Sequence, residues 1–325
     1  MRKNFLVSTT VLIVTGIFCA MSQAASPTSF MYLLSDFTGV IPYSDVKLHA
    51  DRAHDEIYAI LGNTIRTFNA AGMEIYSFTI DPALGTVYDL VVEEDGGLLL
   101  LVLDLQPGEP LRWFILRCDY RGRPQAELPL TGLPPELVSF RPNAMFLETD
   151  RLLLVAKADL EVVSFDRGGR FRERIDLAAR CKVADFRRAG HEIAGFDVAE
   201  NGDLLFTVPT LFRAFVVPRQ GEFRSFGHPG STSGSFGVVD GIVADDQGGA
   251  LVADKNRGVV MRFDRNLEFV AEFGDAGEGP ALLIRPAELA FGSHSTLYVT
   301  QARDRGVAVF RLEPPAEAGG TAATP

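Results

Sequence analysis

The sequence predicts an all-β fold, a six-bladed β-propeller of four-stranded antiparallel blades whose ring is closed by an N-terminal strand. Three observations predict it. Short runs rich in β-branched and aromatic residues recur along the chain, separated by turns of Gly, Asp, Asn or Pro. The residues that close successive passes, Phe78, Leu128, Leu177, Phe226 and Phe273, stand 50, 49, 49 and 47 positions apart. The sixth pass stops at Leu312 after three runs, and an unassigned run, Phe30–Phe37, precedes the first pass. Pairing that run with Val307–Leu312 removes the exposed sheet edges of an unclosed ring. A parallel β-helix would show shorter and more uniform rungs.

The chain of 325 residues opens with Arg2 and Lys3, a short apolar run from Phe5 to Ala20, and Ser22-Gln23-Ala24. This layout is that of a secretory signal peptide cleaved after Ala24, and the apolar run is short for a membrane span. Residues 1–24 are therefore assigned to export, 25–312 to the propeller and 313–325, rich in Pro, Ala and Gly, to a disordered tail. The expected location is secreted or periplasmic, with no transmembrane segment in the mature chain.

The passes follow in order. The first runs from Asp45 through Ile57–Ile60 and Ile65–Phe68 to Phe78, and the second from Tyr88 through Leu98–Leu100 to Leu128. The third contains Asn143–Leu147, Leu152–Ala156 and Val162–Asp166 and ends at Leu177; the fourth runs from Phe196 through Leu204–Phe206 to Phe226. The fifth is the clearest: Asp240–Asp245, Gly248–Asp254, Asn256–Asp264 and Leu267–Gly274. Its turns are Asp246-Gln247-Gly248-Gly249, Lys255-Asn256-Arg257-Gly258 and Asp264-Arg265-Asn266. The sixth repeats the pattern through Pro286–Phe291, Leu297–Thr300 and Arg305–Phe310.

The stretch 226–312, with Phe226-Gly227-His228-Pro229-Gly230, Ile242-Val243-Ala244-Asp245, Val252-Ala253-Asp254-Lys255-Asn256-Arg257 and Arg262-Phe263-Asp264, resembles two consecutive NHL repeats. The first four blades depart further, and Arg257 and Asp304-Arg305 stand where that family has its namesake His. The resemblance implies a six-bladed propeller that binds proteins or other ligands. It also implies a minority of enzymes, among them zinc-dependent lyases, with related lactonases holding a divalent metal in the channel. Fold alone does not choose between these.

Charge narrows the partners. The chain carries 31 Lys and Arg against 42 Asp and Glu, and loss of Arg2 and Lys3 moves its balance from −11 to −13. Such a surface repels nucleic acid. The expected partner is a protein, peptide or polymer ligand, within an extracytoplasmic complex. No cofactor is expected. Of the cysteines beyond the leader, Cys118 and Cys181, spacing does not say whether they pair.

In a propeller the loops between blades and those between second and third strands share one mouth of the channel. The second-to-third turns carry Lys157, Arg213, Lys255, Arg257, Arg303 and Arg305, a positive rim suited to carboxylate recognition and the candidate binding surface. Bracing of neighbouring blades is the alternative for Arg257. The same mouth offers Asp45, Asp89, Asn143, Asp197, Asp240 and Glu288, whose oxygens could hold calcium or could cap turns. A second functional reading is a metal-dependent lyase or lactonase at the channel mouth. His191, His228, Asp240 and Asp89 would be its calcium or zinc ligands. Trp113 is expected in the core.

Overall fold

A computed structural model describes residues 28–36, 39–40, 46–105, 108, 110–183, 189–275, 277, 279, 281–302 and 305–313. The segment 1–24 read as a signal peptide, Phe37, Asp45, Arg303 and the residues beyond Glu313 lie outside these residues. The described chain forms six four-stranded antiparallel sheets and one small hairpin, Ser35–Asp36 with Gly39–Val40.

Each sheet is one blade, its strands in sequence order from the channel outward. Blade 1 holds Lys47–Asp51, Glu56–Leu61, Thr64–Asn69 and Glu74–Thr79; blade 2 holds Thr86–Val92, Leu98–Asp104, Arg112–Cys118 and Pro124–Leu128. Blade 3 holds Ala144–Leu147, Arg151–Ala156, Glu161–Asp166 and Phe171–Asp176; blade 4 holds Phe196–Val198, Leu204–Val208, Arg213–Val217 and Arg224–Phe226. Blade 5 holds Val239–Ala244, Ala250–Asp254, Val259–Phe263 and Phe269–Gly274. Blade 6 takes Leu289–Phe291, Thr296–Thr300 and Val307–Leu312 from the C-terminal end and Thr28–Leu33 as its outer strand.

That splice is the expected closure. Thr28 pairs with Leu312 and Leu33 with Ala308, and the Phe30 and Phe310 rings meet edge to face at 5.7 Å. The strand begins at Thr28 and ends at Leu33, earlier than the Phe30–Phe37 run suggested. Leu177 also differs from expectation. The outer strand of blade 3 ends at Asp176, whose carboxylate accepts from the Ala179 amide (2.8 Å) and starts a one-turn helix, Leu177–Arg180.

The core lies between blades. Six clusters of buried side chains fill the six interfaces, and one, with Leu48 and Ile57 of blade 1 against Tyr298 and Val309 of blade 6, completes the ring. Second strands, covered on both faces, are almost continuously apolar, as in Leu98–Leu103 and Leu152–Ala156. Cys118 packs between blades 1 and 2 and Cys181 between blades 3 and 4, both as free thiols. Burial pushes each thiol up to about 12, so neither is a ready nucleophile.

One turn explains the sequence period. Asn69, Asp119, Asp166 and Asp264 each accept two backbone amides, from the residues two and four positions on, at 2.9 to 3.0 Å. Gly72, Gly122, Gly169 and Leu267 supply the left-handed residue that this turn requires. Asp254 makes a second stitch. Fully buried, it accepts from the amides of Gly237 and Val238 in the inter-blade loop and of Asn256 and Arg257 in its own turn. The conspicuous Ala-Asp-x-Asn-Arg motif therefore holds blade 5 together.

Candidate functional site

Innermost strands all start at one mouth of the channel, here the upper, and end at the other. Antiparallel strands place inter-blade and second-to-third turns at the upper mouth and first-to-second turns at the lower. A cavity of about 700 Å³ occupies the channel. Lys47, Asp89, Lys157 and Glu288 line its upper part, and His49 and Asp197 line its wall. Thr149, Asp150, Asn201, Asp203 and Asp246 of the first-to-second turns line the lower mouth. The lining carries nine carboxylates against two lysines and three arginines, so the cavity is acidic.

Backbone geometry aims the carboxylates. A bulge between Val87 and Asp89 turns Asp89 to the channel. There Asp89 accepts from the amides of Leu90 (2.9 Å) and of Met145 (2.8 Å) in blade 3. Asp197 does the same one pair of blades later, accepting from the Ala244 amide of blade 5 at 2.8 Å. Lys47 reaches across from blade 1 to donate to the Asn143 carbonyl of blade 3. Lys157 donates to the Ala194 carbonyl at 2.9 Å, and the Asn143 side chain accepts from the Lys157 amide at 3.1 Å. At the lower mouth Arg52 pairs with Glu200 at 2.6 Å and Arg219 with Glu148.

Burial perturbs these groups. It raises the Asp197 carboxyl to about 6 against the pull of the Ala244 and Val198 amides, with Glu288 pushing the same way. Burial also raises Asp89, and Lys47 and the Met145 amide offset part of that. It lowers the His49 imidazole to about 4, with Asp51 opposing. His49 is thus neutral at pH 7; its ring touches Tyr58, centroids 6.4 Å apart.

The structure disperses the sequence-derived candidates. Lys255 forms an ion pair with Asp240, and burial raises that carboxyl while Lys255 opposes it. Arg257 folds back onto the outer strand of blade 5, binding both Glu272 oxygens (2.7 and 2.8 Å) and the Ser235 carbonyl (3.1 Å). Arg305 donates to the Gly279 carbonyl at 2.9 Å. Arg213 is exposed at the start of its strand. Of the metal candidates, His191 bonds Thr210 (2.7 Å) and His228 bonds Ser235 (3.2 Å). Among the described residues no three His, Cys, Asp or Glu side chains converge as ion ligands. His191, His228, Asp240 and Asp89 therefore do not fit a divalent cation as a set. Trp113 meets Tyr88 edge to face at 4.7 Å, as core packing required.

Sequence reasoning missed His49 and Lys47. Their signal was available: Lys47, His49 and Asp51 alternate along one innermost strand, a polar face where an apolar one is usual.

No protein-family model matches the chain, and no curated protein matches it in sequence. Solved structures do. Virginiamycin B lyase from Staphylococcus aureus superposes with a TM-score of 0.56 at 12% identity, covering 88% of this chain and 99% of that one. Regucalcin, a calcium-binding protein from Agrobacterium tumefaciens, gives 0.54 at 19% identity over 87% and 99%. A protein of unknown function from Bacteroides thetaiotaomicron gives 0.58 at 12% over 87% and 75%. These neighbours are six-bladed propellers. At such identities the likeness shows the fold alone.

Proposed function

We propose that the protein is an exported, NHL-like propeller that acts as a binding scaffold, taking a ligand with an ammonium or guanidinium group into the acidic channel. One observation carries this reading: the ionisable side chains of Asp197 and His49 stand half-buried on the wall of a cavity large enough for a small ligand. A bound cation would favour ionised Asp197 and offset its burial. The proposal keeps the binding role expected from the sequence and moves its site from the upper rim to the channel and lower mouth. Spermidine and arginine amide are suitable probes in isothermal titration. At least one should bind, and Asp197→Asn should weaken it about tenfold or more. Binding of neither probe, or equal binding to the variant, would refute the proposal.

A second reading rests on the same carboxyl. A group that titrates at about 6 is suited to general acid and base work near neutrality. In a lyase or lactonase Asp197 would move the proton, with neutral His49 as a hydrogen-bonding partner of the substrate. Turnover of a lactone or of a cyclic depsipeptide ester that Asp197→Asn abolishes would replace the scaffold reading with this one.

A further inference from the structure

We propose that a groove between blades 1 and 2, separate from the channel cavity, is a binding site for a neutral oligosaccharide. The groove has a volume of about 720 Å³ and lies between the face of blade 1 and the lower turns of blade 2. Tyr58, Thr67 and Val92 line its interior, and Ile75, Tyr76 and Tyr120 line its outer part.

The outer aromatics are exposed yet fixed. Tyr120 is 61% and Tyr76 42% accessible. Tyr120 stands in the turn Asp119–Arg123, whose Asp119 carboxylate accepts the Arg121 and Arg123 amides, each at 2.9 Å. Gly122, at φ +74°, lets that turn press on the Phe78 ring; a Cβ there would lie 2.0 Å from a ring carbon. The Tyr76 hydroxyl donates to the Arg121 carbonyl at 3.3 Å, tying the second ring to the same turn. The Arg121 guanidinium lies over the Tyr120 ring at 5.1 Å. The corresponding turns of blades 1, 3, 4 and 5 carry Ala70, Arg167, Arg219 and Arg265 where blade 2 has Tyr120. Two anchored aromatic rings that remain this exposed suit a flat, amphipathic partner.

Charge selects among such partners. Asp51, Glu56 and Asp95 face Arg121, Arg123 and His54, a near balance. The His54 ring bonds Asp51 at 2.7 Å, and that bond raises its pKa. The Tyr58 hydroxyl donates to Glu56 at 2.8 Å. A balanced set of planar carboxylate and guanidinium groups beside aromatic faces matches the hydroxyls and C–H faces of an uncharged sugar. It gives a nucleic acid no net attraction. A peptide cannot join by strand addition in the groove's interior, because Glu56–Leu61 and Thr64–Asn69 are paired along both edges.

The test is saturation-transfer NMR and isothermal titration with cellohexaose, maltohexaose, xylohexaose and chitohexaose at millimolar concentration. At least one should bind. Tyr120→Ala and Tyr76→Ala should each weaken it about tenfold, and Tyr120→Phe should keep most of the affinity because the ring face remains. The thermal melt of Tyr120→Ala should match the parent, since that side chain is well exposed, while Tyr76→Phe, which loses only the bond to the Arg121 carbonyl, should keep the sugar affinity. Three outcomes would overturn the proposal: no binding by any of the four sugars, binding unchanged in both alanine variants, or a display-selected peptide that needs Tyr120 while the sugars do not bind. Channel binding of amines is untouched by each of these, so the two proposals fail separately.

Discussion

Replacing Asp197 by Asn should change the sign of its effect on stability with pH. The folded carboxyl titrates at about 6 against an unperturbed 3.8. Between those values the unfolded chain releases this proton and the folded chain keeps it, so stability falls as pH rises through that window and stays low above it. A shift of about two units corresponds to roughly 3 kcal/mol. Asn removes that loss and can still accept from the Ala244 amide. It cannot also accept from the Val198 amide, at a cost of about 1 kcal/mol. The variant should therefore be about 2 kcal/mol more stable than the parent at pH 7.5 and about 1 kcal/mol less stable at pH 4.

His49 sharpens the test, because it acts in the opposite sense. Its folded pKa of about 4 lies below the unperturbed 6.5. As pH falls through that window the unfolded imidazole takes a proton first, and about 3 kcal/mol of stability is lost. In the parent the two slopes oppose each other between about pH 4 and 6; in Asp197→Asn the opposing slope of Asp197 is gone. Urea denaturation of both proteins across pH 4 to 8 measures the difference. A variant less stable than the parent at every pH, or a difference that does not vary with pH, would refute the reasoning.

Arg257→Ala should cost about 2 to 3 kcal/mol, read from the denaturant midpoint, because it strands Glu272 and the Ser235 carbonyl. The same variant should leave amine binding in the channel unchanged by titration calorimetry. A chain that begins at Leu34 loses the outer strand of blade 6 and exposes Phe310 and Leu312; it should elute as aggregate in size-exclusion chromatography where the parent elutes as monomer or defined oligomer.

What was legible in the sequence is what short-range chemistry writes. Asp119, Asp166 and Asp264 announce their turns because each carboxylate bonds amides within four residues. The ring closure was legible because a run without a partner and a blade without an edge strand occur in one chain. The channel was not legible in the same way. Lys47 meets the Asn143 carbonyl, and Asp197 meets the Ala244 amide, only after the ring closes. Arg257 sits in an exposed-looking turn, yet its side chain folds back along blade 5 to Glu272. Tyr120 is one residue in an ordinary turn until Gly122 presses that turn against the Phe78 ring of blade 1.

The energetic contrast between rim and channel bears on where function lies. At the upper rim Lys255 has Asp240 and Arg257 has Glu272, so these charges are accounted for by the fold. In the channel, Asp197 carries a burial penalty that two backbone amides do not remove. An Asn at 197 would keep the bridge to blade 5 without that penalty, and an apolar side chain at 49 would fill space beside Tyr58 without an imidazole. Stabilising substitutions of this kind are accessible to most proteins, and positions that forgo them tend to be those where activity or binding requires the group. If Asp197→Asn proves more stable at neutral pH and still takes up the same ligand, the carboxylate has no role that the fold or the ligand needs. A gain in stability coupled to a loss of binding is the outcome that locates the function in the channel.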